Sequence, residues 1–395
     1  MNVGDTEAAE PLRPRVLHLS HSGAAGGAEY ALIRMLQAGV SWRPALLVPP
    51  PGGGGGIFQQ LPRGVPLRVS GVRQPAGVAA GKPLPMVDAT ARLAVQAAAT
   101  RANRGFQSAD IVDANTTRSA AYGALAAQTS RVPFVVHMRD MADPEAIGRF
   151  GFEVMRRLVL PRADGIIADT RATMQSVERY LRRGTPTEVI PSASGLLIGG
   201  APPLPSGPLV IGMLARIDPW KAQAELLDAF AQAFAGGESR LQFAGDALFG
   251  HEDYLAHLRR RAAELGVADR VDFLGHVDDV GALLSTWHIA VQYSLRSEPL
   301  GQNVLQYLAA GRIVVVADEG GPAEWVEDGV NGVRVPPRDV VSLASTLRRL
   351  GADPAARGSL AAAASSTPHL LSDAAVAQSH ADFYARILAC RVATT

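Results

Sequence analysis

The sequence predicts an α/β protein with two doubly wound domains that face each other across a cleft. Short apolar runs rich in β-branched residues alternate with longer stretches of helical periodicity, which is the pattern of βαβ units and a parallel sheet. This alternation stops at the Pro-, Gly- and Ser-rich segment 191–208 and then starts again. With 395 residues, the chain is long enough for two domains of about 150–200 residues each.

The first half begins with a candidate strand that leads through a glycine turn into a helix at 26–39, and a second helix is predicted at 86–103. The glycine run at 52–56 has too little side chain to pack and is expected to be a flexible loop. The candidate strands are RVLHLS (15–20), PALLVPP (44–50), PLRVSGV (66–72), ADIVDAN (109–115), PFVVHMRD (133–140) and DGIIADT (164–170).

The second half repeats this pattern. Its candidate strands are LVIGMLARI (209–217), RLQFAGD (240–246), RVDFLGHV (270–277), IAVQYS (289–294), IVVVAD (313–318) and GVRVPP (332–337). Its predicted helices lie at 224–235, 251–266, 303–311, near 340–350 and at 372–392. In open sheets of this type the ligand binds outside the carboxyl ends of the strands, so residues just after each strand are the functional candidates.

Composition excludes several function classes. The 38 basic and 37 acidic residues leave a net charge of +1, without the basic excess of a nucleic-acid-binding surface. Cys390 is the single cysteine, so no internal disulfide or thiolate metal site is expected, and a reducing cytoplasm is the predicted location. The sequence contains no metal-ligand spacing and no membrane-spanning apolar run, and residues 1–13 are expected to be a disordered leader rather than a secretory signal.

Lysine is rare in this chain: Lys82 and Lys221 are the only two among the 38 basic residues. Lys221 lies five residues after Arg216, just beyond the strand candidate at 209–217. At that edge the pair can bind a diphosphate, with arginine as a planar fork and lysine as a point charge. A solvated surface pair is the alternative explanation.

The segment SEPLGQNVLQYLAAG (297–311) contains a second group of candidates. Glu298 follows a strand, Gly301 allows close backbone approach, and residues 302–304 begin a helix whose free N–H groups favour a phosphate. A plain helix start explains the same residues. Val277 and Glu324 also follow strands, and they have structural explanations as a loop residue and a helix cap.

In the first half, polar residues and glycines lie after three of the strands. Gly26 and Gly27 come between the first strand and the first helix, although no G-x-G-x-x-G dinucleotide fingerprint occurs. His137, Arg139 and Asp140 end the strand VVHM, and all three side chains are expected to reach the cleft. His137 alone is also explained as a buried structural histidine.

The segment from 297 to 335 resembles the donor-binding half of the retaining glycosyltransferases of family 4, which have the GT-B fold. IGMLARIDPWKAQAELLDAF, FAGD and VDFLGHV follow the order of that family. The resemblance is strong over about 205–345 and weaker over 15–190, where GGAE and VVH carry it. It implies a cytoplasmic enzyme that moves a hexose from a nucleotide diphosphate sugar, UDP- or GDP-linked, to a hydroxyl of a small-molecule, natural-product or cell-envelope acceptor with retention.

The resemblance also implies a domain plan. Residues 14–190 would form an acceptor-binding domain, 191–208 a linker and 209–371 a nucleotide-sugar-binding domain. The C-terminal helix, 372–395, would pack back on the first domain.

Roles for individual residues follow from the same resemblance by matching motif positions. Arg216 and Lys221 would hold the diphosphate and stabilise the leaving charge. Glu298 would bind hydroxyls of the transferred sugar, and His137 would lie beside that sugar. No metal is implied, because the two cations take its place. The implied donor-binding residues are Gly26, Gly27, Val277, Gly301, Gln302, Asn303, Val304 and Gln306.

One position departs from the family pattern of two glutamates with seven residues between them. Glu298 is the first of the pair, and Gln306 occupies the position of the second, which in the family bonds the ribose hydroxyls. An amide keeps an acceptor oxygen but loses the charge-assisted bond, so a loss of about 1 kcal/mol in donor binding is expected. Donor affinity or donor choice is therefore the property that this change affects.

The acceptor is expected against the first domain, at Asn115, Arg118 and Arg139, where arginines suit an anionic or polyhydroxylated molecule. Each of these is equally explained as an ordinary loop residue. Segment 149–163 mixes arginines with apolar residues, which favours core packing with a solvated basic face over binding to an anionic membrane. Two other functions fit the same fold: a non-catalytic nucleotide-sugar-binding protein, suggested by Gln306, and a nucleotide-sugar epimerase.

Overall fold

The computed structural model describes residues 13–23, 26–50, 56–74, 83–248 and 250–392. The predicted leader, apart from Arg13, and the predicted flexible loop, apart from Gly56, lie outside the described residues. The described part forms two parallel α/β sheets with helices on both faces, so the predicted fold class is confirmed.

The first sheet has seven strands within the described residues, in the order β3-β2-β1-β4-β5-β6-β7, and all neighbours are parallel. Several strands are buried along their whole length, as expected for a parallel sheet covered on both faces. The strands are β1 (Arg15–Leu19), β2 (Arg43–Val48), β3 (Leu67–Val69), β4 (Ile111–Ala114), β5 (Phe134–Met138), β6 (Gly165–Ala168) and β7 (Thr187–Val189).

The second sheet has six described strands in the order β10-β9-β8-β11-β12-β13, again all parallel. Strand β12, next to the edge strand β13, contains a continuous β-branched run, and each of its residues is buried. The strands are β8 (Val210–Leu214), β9 (Arg240–Ala244), β10 (Val271–Gly275), β11 (Ile289–Gln292), β12 (Ile313–Ala317) and β13 (Val333–Val335).

The helices cover both faces of each sheet. In the first half they are α1 (Gly27–Gln37), α2 (Pro83–Ala102), α3 (Arg104–Ser108), α4 (Thr117–Ala127), α5 (Pro144–Val154), α6 (Leu160–Arg162) and α7 (Arg171–Glu178). In the second half they are α8 (Gln223–Ala233), α9 (Glu252–Glu264), α10 (Val280–Ser285), α11 (Gln302–Ala309), α12 (Gly320–Trp325), α13 (Val340–Ala352), α14 (Pro354–Ser365) and α15 (Asp373–Val392). None of the described helices combines the length and apolarity that a membrane span requires.

Both sheets reverse their strand order at one point, between β1 and β4 in the first and between β8 and β11 in the second. The chain leaves the two strands at such a point in opposite directions, which opens a crevice at their carboxyl ends. Residues after these four strands therefore line the two crevices.

The segment 149–163 packs mainly into the first core. Met155, Val159 and Leu160 are fully buried there, whereas Phe150 stays 43% exposed. A π-helical turn, Met155–Val159, follows α5 and places these apolar side chains on the sheet. The favoured interpretation, core packing with an outer basic face, agrees with this geometry.

The C-terminal helix α15 packs on the first domain. Phe383 and Ile387 lie in one apolar cluster with Val16 of β1 and Leu32 of α1. The buried Tyr384 hydroxyl donates to Asp113 Oδ2 at 2.8 Å, and His18 Nδ1 lies 3.0 Å from the same oxygen. Burial alone would raise the pKa of Asp113, but the His18 contact outweighs it and lowers the pKa to about 2.

Replacing Tyr384 with phenylalanine tests this attachment. The change removes one of two hydrogen bonds to a buried carboxylate, so the free energy of unfolding should fall by about 1–3 kcal/mol. Urea unfolding at pH 7 measures it. Tyr180→Phe is the matched control, because the described residues give that hydroxyl no hydrogen bond; equal stability of the two variants would contradict the prediction.

Candidate active site

A cleft of about 500 Å³ lies between the two sheets and is lined from both domains. His21, Gly27 and Glu29 contribute to its first-domain wall, and Arg216 and Gly245 contribute to the opposite wall. His21 follows β1 and Arg216 follows β8, so the cleft lies where the two crevices at the carboxyl ends of the sheets meet.

Two glycines shape the walls of this cleft. Gly245 has φ +140°, and a Cβ there would lie 2.2 Å from the carbonyl oxygen of Ala215, so only glycine lets the ends of β8 and β9 approach this closely. A Cβ on Gly27 would meet no described atom within 4 Å, because the backbone there faces open space at the N-terminus of α1. Backbone amides at this helix end are therefore accessible from the cleft.

The carboxylate of Glu298 accepts three side-chain hydrogen bonds at the carboxyl edge of the second sheet. Its Oε1 accepts from Lys221 Nζ at 2.6 Å, from Gln292 Nε2 at 2.8 Å and from the Ser294 hydroxyl at short range. The described residues place no donor on Oε2. The carboxylate is thus held by one oxygen and keeps the other for a ligand.

The electrostatics of Glu298 favour the charged form. The residue is 7% exposed, and burial alone would raise its pKa. The Lys221 ammonium and the hydrogen bonds from Ser294 and Gln292 outweigh burial and hold the pKa of Glu298 below its ordinary value. The carboxylate is therefore ionised at neutral pH.

Both predicted cations have carboxylate partners. Lys221 Nζ bonds Glu298 and lies 4.0 Å from the centre of the Trp220 ring, and it has two further N–H donors. Arg216 is 41% exposed and donates to Asp218 Oδ2 from Nε at 3.1 Å. Each cation is oriented by its partner, and the exposed Arg216 lines the cleft directly.

The turn that carries Glu298 is held from the first domain. Thr170 and Thr173, at the start of α7, both donate through their hydroxyls to the Pro299 carbonyl, at 2.6 and 3.1 Å. Glu324 accepts from two backbone amides of the same helix end, so it caps α7 across the cleft rather than the following helix. Contacts from both domains therefore fix this turn.

The start of α11 contains four of the predicted donor-binding positions. Gly301 has φ +73°, and a Cβ there would come within 2.8 Å of Pro322. Gln302 Nε2 donates to the Ala193 carbonyl and Asn303 Nδ2 to the Leu214 carbonyl, so their side chains hold the helix in place. The Val304 N–H already donates to Gly301 O and Asn303 Oδ1, which leaves it less available to a phosphate than predicted.

Gln306 lies one turn further along α11 and is half-buried. Within the described part of the chain its side-chain amide has no hydrogen-bond partner. Val277, in the loop after β10, is also half-buried and packs against an apolar cluster that contains Trp287 and Val304. Neither residue is among those that line the cleft.

The structure does not bring His137 to the cleft. Its ring is 2% exposed, Nε2 lies 3.0 Å from Asp169 Oδ1, and Arg139 Nη2 lies 3.3 Å from Nδ1. Burial, followed by the charge of Arg139, lowers the pKa of His137, so the ring is neutral at pH 7. The structural explanation of this histidine therefore fits the geometry better than contact with a sugar.

Two of the predicted acceptor residues are engaged in the same interior network. Arg139 is 9% exposed and donates to Asn115 Oδ1 at 3.1 Å and to the Ser192 hydroxyl at 2.9 Å. Asn115 is 1% exposed and donates to the Ala28 carbonyl. Arg118 is half-buried beside Asp140, and burial lowers the pKa of its guanidinium.

Sequence reasoning missed His21, Glu29, Gln292 and Ser294 as site residues. All four lie within segments that the motifs had already marked, just after β1, in the first turn of α1, and at or after the end of β11. The position after a strand at the reversal of strand order was the signal that could have identified them. Among the residues that the structure describes, no group of three metal-ligating side chains occurs.

Comparison with known protein families gives two matches that together cover most of the chain. Residues 11–193 match the model described as "Glycosyl transferase 4-like domain". Residues 200–367 match the model described as "Glycosyl transferases group 1".

Curated relatives share parts of this sequence. The D-inositol 3-phosphate glycosyltransferase of Thermomonospora curvata is 29% identical over 287 residues, which cover 65% of this chain and 66% of that protein. The lipopolysaccharide core biosynthesis glycosyltransferase LpsE of Rhizobium meliloti is 34% identical over 114 residues, 29% of this chain and 33% of that protein. The matched regions of the first relatives span between 20% and 66% of those proteins.

Solved structures match over nearly the whole chain. HepE of Anabaena, in complex with UDP-glucose, superposes with a TM-score of 0.76 at 26% identity and covers 95% of this chain and 100% of its own. Sucrose-phosphate synthase from Thermosynechococcus elongatus has a TM-score of 0.76 at 20% identity over 96% of this chain and 100% of its own, which shows a shared fold.

Replacing Lys221 with methionine tests the buried ion pair. The variant leaves the Glu298 charge without its cation, so it should lose about 3 kcal/mol of folding free energy at pH 7. Its Glu298 pKa rises, so stability should recover as the pH falls towards 4.5, where protonation removes the unpaired charge. Urea unfolding at several pH values measures this.

The matched control is the double variant Lys221→Met with Glu298→Gln, which removes both charges. It should be more stable than Lys221→Met alone at pH 7. A single variant as stable as the parent at every pH would contradict the ion pair.

Proposed function

Because this chain belongs to the family 4-like glycosyltransferases of the GT-B fold, we propose that it transfers a hexose from a nucleotide diphosphate sugar to a hydroxyl group with retention of the anomeric configuration. The donor in this proposal is a UDP sugar, since HepE, 26% identical over 95% of this chain, is solved with UDP-glucose. The acceptor is a hydroxyl-bearing small molecule, natural product or cell-envelope component, and the named activity of LpsE supports the last of these.

The observation that carries the proposal is the arrangement of Glu298. Three donors occupy one carboxylate oxygen and leave the other for a ligand, next to the strand edge that carries Arg216. A negatively charged acceptor atom held this rigidly suits the hydroxyl groups of a sugar. Arg216 and the remaining N–H donors of Lys221 suit the diphosphate attached to that sugar.

The proposed reaction is a front-face displacement. The acceptor oxygen forms a bond to the anomeric carbon as the bond from that carbon to the diphosphate oxygen breaks on the same face. The proton of the acceptor hydroxyl passes to the leaving phosphate oxygen, and the products are a glycoside and UDP. Arg216 and Lys221 stabilise the negative charge that grows on the leaving diphosphate.

This proposal assigns no divalent metal to the reaction, because the two side-chain cations supply the positive charge. Lys221 and Arg216 arrive already oriented by Glu298 and Asp218, so little reorganisation accompanies charge development. Activity in EDTA equal to activity in added magnesium is the expected result.

Arg216→Ala should weaken UDP binding about 10- to 100-fold, because hydrogen bonds to charged groups contribute about 1.5–3 kcal/mol. Calorimetry with UDP and with a panel of UDP and GDP sugars measures this. Arg260→Ala, an exposed arginine on α9 away from the cleft, is the matched control. Parent protein that binds no nucleotide diphosphate sugar would contradict the proposal.

The same panel separates the alternative functions. A transferase releases UDP when an acceptor is present and forms a glycoside of the donor's anomeric configuration, which NMR identifies. An epimerase alters the sugar without an acceptor. A non-catalytic binder binds the nucleotide sugar and turns over none.

Gln306→Glu tests the proposed ribose contact. A carboxylate accepts hydroxyl hydrogens with charge assistance, so UDP affinity should rise several-fold, equivalent to about 1 kcal/mol. Calorimetry with UDP and with free hexose separates the ribose contact from the sugar contact. Unchanged UDP affinity in this variant would place Gln306 away from the ribose.

A further inference from the structure

The crevice of the first sheet contains polar groups to which the donor proposal assigns no role. His21 follows β1 and Thr116 follows β4, so the two residues lie on either side of the strand-order reversal. Glu29 lies in the first turn of α1, beside them. His21 and Glu29 line the cleft opposite Arg216, where a molecule that attacks the donor sugar has to lie.

Glu29 is buried to 5% exposure although it borders the cleft. Its carboxyl accepts from the Ser20 hydroxyl at 3.2 Å and from its own backbone amide. A Cβ on Gly26 would lie 2.6 Å from Glu29 Oε2, so glycine at that position makes room for this carboxyl. An ionised carboxylate has four lone-pair sites, and the described donors occupy two of them.

We assign the proton of His21 to Nδ1. The Ser119 hydroxyl donates to the Thr116 carbonyl, and the Thr116 hydroxyl donates to Ser119 Oγ. With the hydroxyl hydrogens placed in this way, Thr116 Oγ1, 3.0 Å from His21 Nδ1, accepts from an Nδ1–H group. Burial and the charge of Arg118 lower the pKa of His21 to about 4, so the ring is neutral and its Nε2 is a hydrogen-bond acceptor.

Among the described residues, the two arginines of this wall each lie beside acceptor groups of the first domain, and the charge of Arg118 also acts on His21. The guanidinium of Arg139 is 9% exposed and bonds Asn115 and Ser192. Arg118 lies beside the carboxyl of Asp140, which accepts from the Thr117 hydroxyl at 2.6 Å. A phosphate in this part of the cleft would face the carboxyl group of Glu29, and like charges repel.

We propose that His21 and Glu29 form the acceptor subsite, and that they bind hydroxyl groups of a neutral polyhydroxylated acceptor, a sugar or cyclitol without a phosphate. The two acceptor atoms, His21 Nε2 and the free lone pairs of Glu29, receive hydrogens from adjacent hydroxyls. The proposal rests on the proposed glycosyl transfer, and it replaces the anionic option for the acceptor by a neutral one.

A purely structural role for Glu29 is the competing explanation, since it lies in the first turn of α1 near the unpaired backbone amides of that helix. The two explanations differ in what a variant changes. Loss of a helix cap lowers the melting temperature and affects donor and acceptor alike. Loss of an acceptor contact raises the acceptor KM alone.

The experiment uses the full chain with a UDP sugar, UDP-glucose first, and two matched acceptor series: myo-inositol and methyl glucoside, and their monophosphate esters. Released UDP is measured with and without acceptor for the parent, Glu29→Gln and His21→Ala. Glu178→Gln, an exposed carboxylate on α7, is the control. Melting temperatures identify any variant that fails to fold, and His21→Ala keeps the test valid if Glu29→Gln does not fold.

The parent should use the neutral series with a KM at least tenfold below that of the phosphate esters. Both variants should raise the acceptor KM about tenfold or more, while the donor KM and the affinity for UDP measured by calorimetry stay within twofold of the parent. Preferential use of the phosphate esters, or an unchanged acceptor KM in both variants, overturns the subsite. A parent that binds and hydrolyses no UDP sugar contradicts the proposed function itself and this subsite with it.

Discussion

The strand edge of the second domain that carries the candidate site depends on one constraint: the charge of a carboxylate removed from water has to be compensated by a nearby cation or by hydrogen-bond donors. Glu298 meets it through Lys221, Gln292 and Ser294, which all converge on one oxygen. This explains why a chain with 36 arginines and Lys82 elsewhere keeps a lysine at 221. A compact ammonium fits between the carboxylate and the Trp220 ring, and a planar guanidinium needs more room.

The same constraint governs the first domain, where it has a structural outcome. Asp113, in β4, and Asp169, just after β6, are both buried, and a histidine ring nitrogen lies 3.0 Å from each carboxylate, from His18 and His137 respectively. Tyr384, on helix α15, adds a hydrogen bond from its hydroxyl to Asp113. The C-terminal helix is therefore attached by polar contacts that specify its position as well as by apolar packing.

Most of the strands could be predicted from the sequence, because buried parallel strands are continuous β-branched runs. The edge strand β7 and helix α14 were missed, since β7 has three residues and α14 is rich in alanine with little periodicity. At the site, Lys221 and Glu298 could be predicted from their positions after strands. Their ion pair could not, because the two residues lie 77 positions apart in the sequence. The burial of His137 could not be predicted, because its partner Asp169 and its neighbour His380, on α15, lie far from it along the chain. Its position at a strand end alone indicated the cleft.

The two walls of the cleft differ in what they offer a ligand, and this difference divides the chemistry. The second domain supplies Arg216 to the cleft and has the Lys221–Glu298 ion pair at the same strand edge, so this side favours an anionic ligand. The first domain supplies His21 and Glu29, whose ring and carboxyl group can accept hydrogen bonds. Thr170 and Thr173 tie the Glu298 turn to the first domain, so the contact between the domains also helps to fix the carboxylate on the opposite side of the cleft.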